Sequence, residues 1–370
     1  MRTIRRKRGK RQKQILILST LALFSILTVG YAAFQTNIAL TAKGNVHPTA
    51  TYTVEQLKET VVTTGDGLYE DDVEGRYVYK GANPNNYLTL GTDTYRIIAI
   101  EQDNTLKVVK DTTIGSIIFD PDYSSSITDI TSANSTTGTR YSSNPNDFCY
   151  NSNVTSYYGC KVWSSSETTY DSTMNEVTSM PLASGQDPKN LPSDNAYLNV
   201  YLNGGTYNGV AITGWVNGLP YSSLIKKHTF DIGPVAATAN QTLAIDESQA
   251  SAYKWKGLVG LTSVIDYVKA NINTDLCGTV YSNTRNAGNY ETCKTTNYLA
   301  SERRFMTPGS SSYFWIWYFD SGGYLGTSRG NSTVKPVFHL ASCVVLKGEG
   351  TVSKPFTIKN ADTCWADNVE

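Results

Sequence analysis

FWIWYFDSGGYLGTSRGNSTVKPVFHL, residues 314–340, places five aromatic residues in its first six positions, passes through a glycine-rich turn and ends in an apolar run. Side chains alternate between faces along a strand, so Trp315 and Trp317 share one face while Phe314, Ile316 and Tyr318 take the other. Two readings follow. The aromatics are a packing seam of the core, or at least one tryptophan belongs to a ligand surface, since Trp and Tyr combine apolar area with a polar tip. Asp320 to Asn331 reads as an exposed polar loop, structural in the simpler view and a recognition loop in the sharper one. The candidate ligand-binding set is therefore Trp315, Trp317, Tyr318, Asp320, Tyr324, Arg329 and Asn331. Pro336 lacks an N–H and suits the entry to the closing strand VFHL.

Upstream, GRYVYKG, the turn NPNN, YLTLG, TYRIIAIE and NTLKVVKD form a succession of partly alternating apolar runs separated by turns, the signature of a β platform. Gln102 to Thr105 close a hairpin between residues 95–101 and 106–110. TVEQLKETVV, residues 53–62, fits a short helix with Thr53 as N-cap and Gln56 at capping-box spacing. Between 121 and 310 the chain is loop-rich, with short helices expected in 196–207, 221–230 and 261–270. In the last, Thr262 or Ser263 supplies the cap, and Val264, Tyr267 and Val268 fall on one side.

The first 34 residues carry the address. MRTIRRKRGKRQKQ holds eight Lys or Arg and no acid, and the next twenty residues, 15–34, are uncharged. That length crosses a bilayer as a helix, with the basic flank in the cytoplasm. The same pattern suits a secretory leader with small residues at Gly30, Ala32 and Ala33. Both place the rest of the chain outside the cell. Expected domains are a basic cytoplasmic tail (1–14), a transmembrane helix or signal-peptide core (15–34), a stalk with a short helix (35–66), the main domain (67–358) and a C-terminal tail (359–370).

Net charge is zero for the whole chain, but removing the eight basic tail residues leaves 24 Lys and Arg against 32 Asp and Glu, about minus eight. An acidic surface excludes nucleic acid as a partner. Cys149, Cys160, Cys277, Cys293, Cys343 and Cys364 all lie in the exported part, where an even count reads as disulfides. Of fifteen pairings, the sequence-local one joins 149 to 160, 277 to 293 and 343 to 364. No compact spacing suits zinc.

The segments GRYVYKGANPNNYLTLGTDTYRIIAI, AYLNVYLNGGTY, WKGLVGLTSVIDYVKA, TNYLASERRFMTPG and STVKPVFHLASCVVLKGEGTVSKPFTI together resemble a family of exported proteins of Gram-positive bacteria. Their main domain is C-type-lectin-like, in the branch shared with formylglycine-generating enzymes and diversity-generated variable proteins. The resemblance covers residues 67–358, and Lys335 stands where the family's closing strand usually has arginine. VGYAAFQTN is also similar to leaders of matrix-forming and camelysin-like exported proteins. The resemblance implies an α+β fold: a twisted antiparallel sheet, short helices and long disulfide-stapled loops behind the N-terminal helix. It does not carry an activity. The calcium-dependent sugar signature is missing, the nearest text being Gln186-Asp187-Pro188, and no cysteine pair matches the catalytic pair of formylglycine-generating enzymes. Acidic runs at 70–74 and 120–122 suit Ca²⁺ by charge alone and match no EF-hand loop. No cofactor is assigned.

Catalysis has little support. His47 lies in a linker, His228 follows two lysines, and His339 sits inside VFHL, where a hydrogen-bonded structural histidine is the expectation. The leading expectation is a non-enzymatic adhesion or recognition protein, membrane-tethered or secreted, binding a glycan or surface protein through loops on a rigid sheet. The alternative is a self-associating subunit of a pilus, fibre or envelope assembly; a secreted hydrolase ranks below both.

Overall fold

The computed structural model describes residues 50–117, 119, 163, 169–171, 195–207, 210–232, 242–244, 253–277, 279–281, 290–301, 303–308, 316–319, 325–328 and 332–366. The predicted membrane segment 15–34 and the stalk up to residue 49 lie outside them. Among the described residues no helix is long and apolar enough to cross a membrane. A compact unit begins at Thr51.

That unit is α+β, mostly sheet with a few short helices. Its main sheet has eleven strands, numbered here among themselves: β1 (Thr51–Thr53), β2 (Gly67–Glu70), β3 (Tyr77–Lys80), β4 (Tyr87–Leu90), β5 (Asp93–Ile100), β6 (Leu106–Lys110), β7 (Ile225–Lys226), β8 (Val259–Gly260), β9 (Val337–Leu340), β10 (Val345–Lys347) and β11 (Phe356–Ile358). The order is β1-β10-β11-β4-β5-β6-β9-β7, with β8 also on β9, and the β2–β3 hairpin joined to β5 through β3. All pairs are antiparallel except β11 with β4.

The sheet forms where the β-branched and aromatic runs were read, because such side chains pack well on a pleated, covered surface. β5 and β6 are the expected hairpin. Asn104 turns it in a left-handed conformation (φ 64°), while Asp103 Oδ1 accepts from the Thr105 N–H (3.1 Å) and hydroxyl (2.7 Å). Asx side chains favour turns because they replace the backbone bonds the turn lacks. β9 is buried on both faces. Phe338 packs with Tyr95 and Tyr221 on one side, and His339 meets Phe230 and His228 on the other. Gly260 permits this closeness, since a Cβ there would lie 2.6 Å from Met306 Sδ and 2.8 Å from Phe230.

Helix α1 (Val54–Lys58) has the expected capping box between Thr53 and Gln56. It is no part of an extended stalk: Val54 and Leu57 enter the core, and β1 pairs with β10, tying the start of the unit to its end. Helices α2 (Tyr197–Asn203) and α3 (Val264–Lys269) fall within their predicted spans, α3 being capped by Ser263. The segment 221–230 departs from its helical expectation. Ser222–Leu224 make one 3₁₀ turn, and Ile225–Lys226 and His228–Asp231 are strands. Ile225 and Lys226 pair with Leu340 and His339, and a second ladder joins residues 228–231 to 254–257. Ladder bonds and burial at the sheet edge outweigh the weak helix preference of a ten-residue segment.

Two of the three sequence-local disulfides are present: Cys277–Cys293 joins α4 (Thr274–Cys277) to α5 (Tyr290–Thr295), and Cys343–Cys364 pins the C-terminal segment. Cys149 and Cys160 lie outside the described residues. The tail read from 359 onward is thus fastened to the unit as far as Ala366, whose N–H bonds the Ser223 carbonyl at 2.8 Å. Replacing both Cys343 and Cys364 by Ala is expected to cost about 3 kcal/mol, the loop-closure contribution for a bridge of this span. Unfolding midpoints with and without reductant check this, because reductant must not lower the double variant's midpoint as far as the parent's.

Candidate functional site

On the face of the sheet away from Tyr95, a row of polar residues crosses three strands. Lys107 on β6 pairs with His339 on β9, which pairs with Lys226 on β7. Period-two alternation leaves Val109 and Val337 beside them on the same face. Two flanking groups of residues close over this row. The strand His228–Asp231 lays the His228 ring on His339, centroids 4.0 Å apart, and α3 brings in Asp266 and Lys269.

Between them lies a cavity of about 360 Å³. Arg76, Glu101, Lys107 and Lys269 form its inner wall; His228, Asp231 and Lys254, from the ladder of 228–231 with 254–257, form the other side. Each of the five basic residues in this lining already faces an acid. Arg76 meets Asp71 (2.5 Å) and Glu101 (2.8 Å), and Lys269 meets Asp71 (3.0 Å) and Asp72 (2.7 Å). Lys107 meets Asp266 (2.6 Å), Lys254 meets Asp231 (3.5 Å) and His228 meets Asp103 (3.5 Å).

The network sets protonation. Burial alone would raise the Glu101 carboxyl, but Arg76 and Lys107 more than offset that and hold it well below the usual carboxylate range. Burial likewise works against Arg76, and Glu101 and Asp71 reverse it, keeping the guanidinium charged. Asp266 is held low against its own burial by Lys107 and the Ser263 N–H. Asp103 is held low against burial by hydrogen bonds from His228, Thr105 and Lys226. His339 goes the other way. Burial, reinforced by the neighbouring His228, pushes its imidazole down to about 3. The hydrogen-bonded structural histidine expected at 339 is therefore corrected: neither ring nitrogen has a hydrogen-bond partner, and Nε2 sits 3.7 Å from Glu101 Oε1. It is a neutral ring held by stacking.

Of the sequence-predicted ligand residues, Trp315, Asp320, Tyr324, Arg329 and Asn331 lie outside the described residues. Trp317 lies on the strand Ile316–Phe319, where only its backbone is described. Tyr318 is half-buried there, and its neighbour Phe319 is fully buried against Tyr267 and Phe305. The strand thus contributes to the core through Phe319. Sequence reading missed the cavity, whose lining comes from six separate stretches of chain. The one available signal was the unusual set of Lys107, Asp266 and His339 inside apolar runs.

In the 70–74 run, Asp71 is engaged by Arg76 and Lys269, and Asp72 by Lys269. Among the described residues no group of three or more His, Cys, Asp or Glu is arranged to hold a metal. Comparison with protein-family models, with curated proteins and with solved structures gave no match.

Proposed function

We propose that this chain is an exported, non-enzymatic surface protein whose lectin-like main domain recognises a neutral polyhydroxylated ligand, a saccharide, in the cavity beneath the 228–231/254–257 ladder. The observation that carries the reading is the charge balance of that cavity. It is concave, of a size suited to a small ligand, and lined with charged groups that are already paired, so its field demands neither an anion nor a cation. Paired carboxylates and ammonium groups keep spare lone pairs and N–H donors, which match hydroxyl groups. Disulfides suit an oxidising compartment, in line with the basic, apolar leader. A binding role fits the histidines too: His228 and His339 stack on each other, and His228 is held by Asp103 and the Thr229 carbonyl.

Screening the full chain against saccharide and bacterial-surface polymer arrays, with and without Ca²⁺, tests the reading. Saturable, calcium-independent binding is expected, weakened about tenfold or more by Lys254→Ala or Asp231→Ala, since losing a charged hydrogen-bonding group is worth about 1.5–3 kcal/mol. Both side chains are one-quarter exposed, so the fold tolerates their loss. Binding that ignores these substitutions but fails on changes within 320–331 returns recognition to that loop. An absence of binding combined with concentration-dependent self-association favours the assembly-subunit alternative.

A further inference from the structure

A second polar cluster occupies the other end of the β5–β6 hairpin. Arg96 on β5 lies opposite Tyr87 and Val109, five residues along the strand from Glu101, or about 17 Å at strand rise. Its guanidinium sits between two rings, 3.6 Å from the centroid of Tyr87 and 4.9 Å from that of Tyr298. Its bonds go to neutral acceptors, the Asn86 side chain (2.5 Å) and the Pro84 carbonyl (3.2 Å).

Arg303 is the second member. It is 3% exposed, and its Nε and Nη2 donate to the Ser301 carbonyl (3.2 Å) and hydroxyl (2.7 Å). Its Nη1 is buried with no partner at all, and so is the Tyr298 hydroxyl. Among the described residues neither arginine forms an ion pair with a carboxylate. Asp111 acts on both electrostatically, without ion-pair contact. Burial pushes Arg303 down to about 10, with Arg96 contributing in the same direction, and burial pushes the Tyr298 phenol up, so it stays a neutral hydroxyl able to donate.

The contrast with the cavity is the point. There every cation has its acid, whereas here, among the described residues, the two buried guanidiniums have no ion-paired carboxylate. An unpaired buried charge is strongly unfavourable unless a counter-charge is supplied. The donors left over, a guanidinium N–H edge and a phenol, are the types that bind oxyanions.

The geometry points to a binding site for a small oxyanion, a carboxylate, sulfate or phosphate group, held by Arg303 Nη1 and the Tyr298 hydroxyl within the positive field of Arg96. It is separate from the cavity and does not depend on the saccharide reading. The anion is either a free ion or the acidic group of a larger ligand.

The test uses the full chain in sodium chloride of fixed ionic strength, with sodium sulfate, sodium phosphate, sodium acetate or sodium glucuronate substituted stepwise. Thermal unfolding and titration calorimetry are read together. At least one oxyanion is expected to bind at one site per chain and to raise the unfolding midpoint along a saturating curve, by about 5 °C at a hundredfold excess over Kd. Sulfate or phosphate responding without acetate assigns a tetrahedral ion; acetate responding assigns a carboxylate. Glucuronate exceeding acetate assigns a group carried on a larger acidic sugar. Arg303→Met should abolish saturation, and Tyr298→Phe, which keeps the ring on Arg96, should weaken binding about threefold to tenfold. Tyr298→Phe carries the comparison if Arg303→Met fails to fold. A midpoint that rises without saturating, equally in parent and Tyr298→Phe, is the general effect of excluded salts and overturns the site.

Discussion

Replacing Asp266 by Ala is expected to destabilise the protein by about 3–5 kcal/mol, the range for removing one partner of a buried ion pair. The side chains of Lys107 and Asp266 are 4% and 0% exposed, and they meet at 2.6 Å across 159 residues of sequence. Truncation strands the Lys107 ammonium in the sheet. It also removes the acceptor for the Ser263 N–H (2.8 Å), and with it half of the capping box of α3, leaving the Ser263 hydroxyl on the residue 266 N–H. Lys107→Met is expected to cost less, because the Asp266 carboxylate keeps its bonds to Ser263. The double variant Lys107→Met/Asp266→Asn should then be more stable than the sum of the single changes, since neither charge is left alone and Asn preserves an acceptor for the cap. Urea unfolding of the four proteins measures this. A cost below about 1 kcal/mol for Asp266→Ala would mean that water reaches the pair, and the account of a dry link between α3 and the sheet would fail.

Acidification from pH 6.5 to 4.5 is expected to weaken the fold through His339. Its folded pKa, pushed down to about 3, lies below the unfolded value of about 6.5. In this window the unfolded chain binds one proton more than the native ring, so stability rises with pH at up to about 1.4 kcal/mol per unit. The contribution is complete above pH 6.5 and is lost as pH falls through the folded value. Over the two units it amounts to about 2 kcal/mol. The groups facing the ring are His228 and Phe230 from the strand His228–Asp231, Glu101 from the end of β5 and Lys107 from β6. Glu101, Asp103 and Asp266 are also held low, but their contribution is present above the ordinary carboxylate range and is lost only below it, which separates the two windows. His339→Phe keeps an aromatic ring on His228 and removes the titration. The variant's stability should lose up to about 1.4 kcal/mol per unit of slope between pH 6.5 and 4.5. Parallel pH profiles for parent and variant in that window would show that His339 is not a neutral buried ring.

Much of the local structure was legible. Thr53 with Gln56 and Ser263 before VIDYVK announced helix starts, because caps act within four residues. Asp103 and Asn104 announced the hairpin turn for the same reason, and TYRIIAIE and LKVVK announced strands because burial of β-branched side chains is written directly into composition. The pairings of Cys277 with Cys293 and of Cys343 with Cys364 were read from proximity in sequence, and the helices and turns there do bring them together. Residues 221–230 were misread for the opposite reason. Their conformation is chosen by ladders to residues 339–340 and 254–257, and a single segment carries no record of its partners.

By itself, then, the sequence determined the mixed α+β class, the hairpin, the helix caps and two disulfides, all features whose energies are local or compositional. Only the tertiary structure decided that β1 closes on β10, that Lys107, Glu101, His228 and Lys254 converge on one cavity, and that Arg96 and Arg303 are buried with no ion-paired acid among the described residues. A charged residue within an apolar run reads as an edge or an interruption until its partner is known. Coulomb and desolvation energies depend on distances in space, and those distances are set by register across the sheet and by the packing of α3 and the 228–231/254–257 ladder upon it.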